Sequence, residues 1–84
     1  MRYAIRYSEE AAAQRDRLDA QRRRTFDRAI TVLAERPRHG KSVAMGGNVR
    51  HVWLTSDVLA QYAVFHGRVV ILALSVFDRG AVLG

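Results

Sequence analysis

The sequence contains no cysteine, one proline and six glycines among its 84 residues. Without cysteine there is no disulfide framework, no thiolate zinc site and no cysteine nucleophile. No apolar run reaches the ~18 residues of a membrane span. The opening residues, MRYAIRYSEE, interleave arginine with apolar residues, unlike a secretory signal. We therefore expect a soluble cytoplasmic protein without membrane contacts, and the composition points to no cofactor.

Positive charge is in excess and unevenly distributed. Lys and Arg total 14 against 8 Asp and Glu, a net charge of +6. Residues 1–42 hold 11 basic and 6 acidic side chains, and residues 43–84 hold 3 and 2. All but one of the basic residues are arginine, whose planar guanidinium suits two-point contacts with phosphate. A small domain this basic is typical of proteins that bind a polyanion or an acidic protein.

The N-terminal half predicts one strand followed by helix. Residues 3–7 alternate apolar and polar side chains, which is typical of a strand with one buried side. Ser8 and the two acids after it form a helix start. Residues 9–36 contain no glycine or proline, so they fit one long helix or a helical hairpin. We favour a hairpin that breaks near residues 19–21, because single helices average ~11–12 residues.

The C-terminal half predicts a sheet. Residues 49–54, 58–65 and 69–76 are rich in branched and aromatic side chains, and residues 42–45 predict a further short strand. His66 and Gly67 predict a two-residue hairpin loop, and the strand at 69–76 is expected to be the most interior. The chain is thus one domain, residues 1–84, of the α+β class: two helices on one face of a mostly antiparallel sheet, in the order β-α-α-β-β-β-β.

These features resemble the RelE/ParE superfamily of toxins from bacterial type II toxin–antitoxin pairs. The resemblance spans about residues 2–78. It rests on the strand and acidic helix start at residues 3–10, the basic helical segment that ends AERPRHGK, the arginine that opens a strand in Val49-Arg50, and two apolar strands joined by a tight turn. It implies a small toxin held inactive by an acidic antitoxin, and the free protein is expected to be able to form a homodimer through an unpaired edge strand.

The resemblance implies three modes of action, which the sequence leaves open. RelE-like members cut mRNA on the ribosome and so inhibit translation. ParE-like members inhibit DNA gyrase without that chemistry. A degenerate member would only bind its antitoxin. The ribosome-dependent endoribonuclease is placed first, with gyrase inhibition and the degenerate form as alternatives.

Carried over to this chain, the resemblance implies Arg50, Tyr62 and Arg79 as catalytic residues. Arg50 is also a predicted nucleic-acid contact, and so are Lys41 in the loop before the short strand at residues 42–45 and Arg68 after the hairpin glycine, by their positions in the sequence. RNA cleavage needs cations that stabilise charge on the reacting phosphate and a group that carries a proton. The chain departs from the family pattern at two positions where members commonly have arginine, because Trp53 and Leu59 stand there.

Two further residue types remain ambiguous. His51 and His66 have no carboxylate or second histidine at metal-ligand spacing, so the sequence predicts no metal site. His51 alternates with Val49 and Trp53, and it is read either as part of the core edge or as a general base. Trp53 is expected to pack against the helices, with stacking on a base as the alternative.

Overall fold

The chain forms two helices and five strands in the order that the sequence predicts. A computed structural model describes residues 2–38 and 41–77. Within those residues, no helix is both long enough and apolar enough to cross a membrane. The α+β class is confirmed, and each predicted strand begins and ends within one residue of its observed limits. The elements are β1 (Ala4–Tyr7), α1 (Glu9–Asp16), α2 (Ala20–Glu35), β2 (Val43–Gly46), β3 (Val49–Trp53), β4 (Val58–Phe65) and β5 (Arg68–Val76).

Two separate caps explain why the helical region is two helices. The Ser8 hydroxyl accepts a hydrogen bond from the Ala11 amide at 3.0 Å and donates one to the Leu72 carbonyl at 2.7 Å. The Asp19 carboxylate accepts a hydrogen bond from the Arg22 amide at 2.7 Å. A capping residue has extended backbone geometry, so the chain leaves the helix after α1 and starts again at residue 20. The predicted break is therefore confirmed.

Arg15 joins α1 to α2. Its Nη2 atom donates to both carboxylate oxygens of Asp27, at 2.9 and 3.1 Å. Its guanidinium carbon also lies 5.9 Å from the Tyr7 ring centre and 6.0 Å from that of Phe26. The two-point ion pair and the aromatic contacts use arginine's planar group, so this side chain links α1 to α2.

The sheet is mixed, with strand order β1-β5-β4-β3-β2. β1 runs parallel to β5, and every other neighbouring pair is antiparallel. The strand predicted to be most interior, β5, lies next to the centre, which is occupied by β4. The predicted two-residue hairpin loop is present, since Phe65 pairs with Arg68. The register of β4 and β5 shifts between Gln61 and Tyr62, so Leu72 is a bulged residue whose carbonyl reaches Ser8.

The helices cover one face of the sheet, and the hydrophobic core lies between the two layers. Phe26, Ile30 and Leu33 supply the α2 side of this core, as the helical spacing predicts. The sheet supplies alternate residues of its three inner strands, because side chains along a strand point to opposite faces. These are Val52, Val58, Ala60, Tyr62, Val64, Val69, Ile71 and Leu74. We call this side the helical face and the opposite side the open face.

Candidate functional site

The open face contains a shallow depression of about 130 Å³ at the centre of the sheet. Four strands contribute to it because their open-face residues lie in register: His51 pairs with Gln61, which pairs with Ala73, and Leu59 pairs with Ser75. The lining residues are Met45, His51, Leu59, Gln61, Ala73 and Ser75. None of these six is a lysine or an arginine, so the depression offers hydrogen-bonding and apolar groups rather than cations.

Three side chains of the depression are in direct contact. Nδ1 of His51 lies 3.1 Å from Sδ of Met45, and Nε2 of Gln61 lies 4.0 Å from the same sulfur. His51 is half-buried, while Met45 is 51% exposed on the edge strand β2. The imidazole of His51 and the amide of Gln61 therefore both contact the thioether of Met45. Each has further hydrogen-bonding atoms that a bound molecule could use.

An exposed aromatic pair lies at one side of the depression, where Trp53 is paired with the lining residue Leu59. The rings of Trp53 and Phe77 have centres 5.3 Å apart and planes inclined by 51°, an ordinary aromatic pair. Trp53 is 52% exposed and Phe77 is 47% exposed. Trp53 lies on the open face, since its neighbour Val52 faces the core and successive strand residues alternate. Trp53 also borders a groove lined by residues of α2, and its exposed part remains accessible to a partner.

Arg50 and Tyr62, two of the predicted catalytic residues, are on the helical face. They oppose each other across β3 and β4, and Tyr62 belongs to the core with 0% exposure. The Tyr62 hydroxyl donates to the Pro37 carbonyl at 2.6 Å. Arg50 donates from Nε to the Ser42 hydroxyl at 2.9 Å and from Nη2 to the Ser42 carbonyl at 3.3 Å.

Both side chains thus anchor the segment that links α2 to β2. In this conformation Tyr62 has no surface with which to contact a substrate. The placement therefore gives no support to a catalytic role for Tyr62. It also directs Arg50 away from the open face, where a phosphate contact was expected.

The other predicted residues are dispersed. Lys41 is exposed beside an apolar groove of about 240 Å³ between α2 and β3. Arg68 opens β5 opposite Phe65, four residues along β4 from Gln61, or about 13 Å at strand spacing. Arg79 lies outside the described residues. The structure therefore brings Arg50 and Tyr62 together but joins neither Lys41 nor Arg68 to them.

A second polar depression, of about 330 Å³, lies between the start of α2 and the turn after β3. Asp57 is held by two donors at this site: Arg22 donates from Nε to Asp57 at 2.9 Å, and the Thr55 hydroxyl donates to Asp57 at 2.7 Å. The Thr55 hydrogen bond, and then Arg22, lower the pKa of the Asp57 carboxyl below its usual value. The Arg22–Asp57 ion pair joins α2 to the turn after β3, so we assign this site a structural role.

Several solved structures share this architecture. The isolated RelE toxin of E. coli superposes with a TM-score of 0.77 and 18% identity, covering 96% of this chain and 90% of the toxin. A chain of the archaeal RelE–RelB complex of Pyrococcus horikoshii gives 0.74 and 19%, covering 94% of this chain and 99% of that one. A chain of the P. aeruginosa ParDE system gives 0.68 and 14%, covering 90% and 97%. The chain has the RelE/ParE toxin fold.

The similarity is found by comparing structures and not by comparing sequences. No protein-family model and no curated protein matches it. At identities of 14–19% the shared feature is the fold. The chemistry of the open face therefore depends on the residues that this chain places there.

The two departures from the family pattern lie side by side on the open face of this RelE/ParE fold. Trp53 pairs with Leu59 across β3 and β4. The two positions at which the resemblance implies arginine are therefore neighbours, and both carry apolar or aromatic side chains in this chain.

The sequence analysis did not identify Met45, Gln61 or Phe77 as functional candidates. Gln61 carries a recognisable signal, because it is the polar residue in an otherwise apolar strand and so marks the face of β4 that lies away from the core. Met45 carries none, since its contact with His51 depends on the irregular pairing of β2 with β3 between Ala44 and Gly46.

Proposed function

We propose that this chain is the toxin component of a type II toxin–antitoxin pair. The RelE/ParE fold carries this proposal, because its structural relatives include the intact RelBE toxin–antitoxin complex of E. coli and a YoeB/ParE toxin of Agrobacterium tumefaciens. The net charge of +6 agrees with it, since an acidic antitoxin is the electrostatic complement of a basic toxin.

The antitoxin should occupy exposed strand edges and basic helical surface. β2 is an edge strand in which all four residues are exposed, among them Val43 at 52%. An edge strand can pair with an added extended segment. Solved relatives include an E. coli RelE mutant bound to a peptide of the antitoxin RelB. This supports an antitoxin that contacts the toxin through a short segment.

For the mode of action, the open face favours inhibition by binding over RNA cleavage. The decisive observation is the composition of the central depression, whose six lining residues include no cation. Cleavage of RNA requires preorganised donors for the charge that develops on phosphate, each worth ~10²–10³ in rate. Exposed Trp53 and Phe77 are instead typical anchors of a protein interface. We therefore place a ParE-like toxin, which binds a protein target such as DNA gyrase, ahead of a nuclease.

A RelE-like ribosome-dependent mRNA endoribonuclease is the second candidate, and His51 is the observation that favours it. Its imidazole lies in the depression beside Gln61, and imidazole is the side chain most often used for general acid–base catalysis. In this candidate Arg79 would supply the phosphate contact. Arg50 would hold the segment that links α2 to β2 and would not contact the substrate.

Expression of the chain in a bacterial host, with and without the protein of a neighbouring reading frame, tests membership of a toxin–antitoxin pair. We expect growth arrest by the chain alone and rescue by a short acidic partner that copurifies with it. A chain that neither arrests growth nor binds such a partner would contradict the proposal.

Two assays separate the modes of action, one on the purified protein and one on RNA from the arrested cells. Inhibition of gyrase supercoiling by purified protein, without new mRNA ends in primer extension, supports the binding mode. New ends that disappear in His51→Ala but persist in the matched variant His66→Ala support the nuclease instead. For the binding mode, Trp53→Ala should abolish arrest, while Phe65→Ala, which removes an exposed aromatic ring at the far end of β4 (41% exposed), serves as its control.

A further inference from the structure

The thioether of Met45 lies at the surface instead of in the core. Methionine commonly fills irregular gaps between apolar side chains, yet Met45 is 51% exposed and lies on the edge strand β2. Its sulfur faces two nitrogen atoms, Nδ1 of His51 at 3.1 Å and Nε2 of Gln61 at 4.0 Å. About half of this residue is exposed to water, and the nearest polar partners of its sulfur can both donate hydrogen bonds.

We propose that Met45 is a reversible oxidation site, at which a hydroperoxide converts the thioether to a sulfoxide whose oxygen is held by His51 and Gln61. The sulfur attacks the terminal oxygen of the hydroperoxide and the O–O bond breaks. The proton of that terminal oxygen passes to the departing oxygen, which leaves as water or an alcohol. The sulfur loses two electrons, and the peroxide is reduced.

The two donors favour the product over the starting thioether. A thioether sulfur is a weak hydrogen-bond acceptor, whereas the sulfoxide oxygen is polar and carries negative charge. The hydrogen bonds from His51 and Gln61 therefore strengthen as the new oxygen forms. Interactions that are stronger in the transition state than in the ground state accelerate a reaction, so these neighbours should make Met45 more reactive than an ordinary exposed methionine.

Oxidation would change the open face, and this consequence rests on the proposed function. A sulfoxide replaces an apolar group with a polar one in the depression, next to the Trp53–Leu59 pair. It also engages the His51 and Gln61 donors that a target would otherwise use. The oxidised chain should therefore bind its target more weakly, and enzymatic reduction of the sulfoxide would restore binding.

The chemistry is tested on the purified full chain, with dilute hydrogen peroxide and N-acetylmethionine amide in the same solution. Mass spectrometry of the peptide that contains Met45 gives its oxidation rate. We expect Met45 to react faster than the free amide, and His51→Leu to slow it about fivefold, which is the contribution of one net hydrogen bond. His66→Leu, which removes the exposed hairpin histidine, should leave the rate unchanged.

Gln61→Leu provides a second variant that should slow the reaction, so the test does not depend on the folding of His51→Leu. Thermal unfolding of each variant checks that it is folded at the temperature of the assay. Equal rates for Met45 in the unaltered chain, in both variants and in the free amide would overturn the proposal.

The functional consequence is tested separately, by comparing growth arrest by Met45→Gln and Met45→Leu. Gln places a polar oxygen near the position of the sulfoxide, while Leu keeps the site apolar. We expect about tenfold more surviving colonies with Met45→Gln, the factor that corresponds to ~1.4 kcal/mol of binding. Equal survival would overturn the regulatory role. Failure of the unaltered chain to arrest growth would instead contradict the proposed function, and the oxidation rates would still decide the chemistry.

Discussion

The substitution Tyr62→Phe removes one buried hydroxyl and leaves the ring in place. That hydroxyl donates to the Pro37 carbonyl at 2.6 Å from a side chain with 0% exposure. Pro37 is also buried, so the substitution leaves its carbonyl without this donor in the core. We expect a loss of about 1–3 kcal/mol in the free energy of unfolding, the usual cost of leaving one buried polar group unpaired.

That loss is large but leaves the protein folded. A domain of 84 residues has a total stability of about 4–13 kcal/mol at typical values per residue. The melting temperature should fall by ~4–8 °C for each kcal/mol lost. Since Tyr62 has no exposed surface, growth arrest at a temperature well below the melting point should persist in Tyr62→Phe.

Urea unfolding measures the change in stability, and growth arrest measures function. Tyr3→Phe is the matched control, because its hydroxyl has no hydrogen-bond partner among residues 2–38 and 41–77 and it should cost little. Unchanged stability of Tyr62→Phe together with lost activity would refute the structural role and restore the catalytic prediction for this tyrosine.

Three further predictions concern contacts that hold the elements together. Arg15→Lys loses the two-point contact with Asp27 and should destabilise the chain by about 0.5–1 kcal/mol in urea unfolding, because the pair is partly exposed; equal stability would contradict the helix-joining role. Asp57→Asn should cost about 0.5–1 kcal/mol at pH 7. Because folding lowers the pKa of the Asp57 carboxyl, this contribution is complete above its unfolded pKa of about 3.9 and is lost as pH falls through the folded pKa, so the gap between variant and unaltered chain should narrow as the pH is lowered below the unfolded value. Gly67→Ala forces a side chain into a φ of +73° and should lower the melting temperature, at a cost of about 1–2 kcal/mol; an unchanged melting temperature would show that the turn adapts.

The order of the elements could be predicted because it depends on local patterns. Ser8 with two following acids marks a helix start in any context. The alternation in β4 needs no knowledge of its neighbours, and the His66-Gly67 loop follows from a glycine that can adopt positive φ. The resemblance to the RelE/ParE superfamily used the same order of elements, so the fold followed from information that lies along the chain.

The functional residues were harder to assign because alternation alone does not say which face is covered. Arg50 and His51 are adjacent in the sequence and lie on opposite faces of β3. Pairing with Tyr62, which packs beneath α2, sets Arg50 on the helical face. The notion that basic residues line the open face therefore fails at the centre of the sheet, where the described depression holds no cation.

By itself the sequence determined the number and order of the elements, the helix break and the polar residues available on each strand, because capping, periodicity and turn geometry act over a few residues. Only the tertiary structure decided that Tyr62 and Arg50 form hydrogen bonds with the segment that links α2 to β2. It also decided that Met45, His51 and Gln61 are in contact on the open face. Those contacts join residues up to 25 positions apart. They depend on strand register and on the irregular pairing of β2 with β3, which are set by how the layers pack rather than by any local signal.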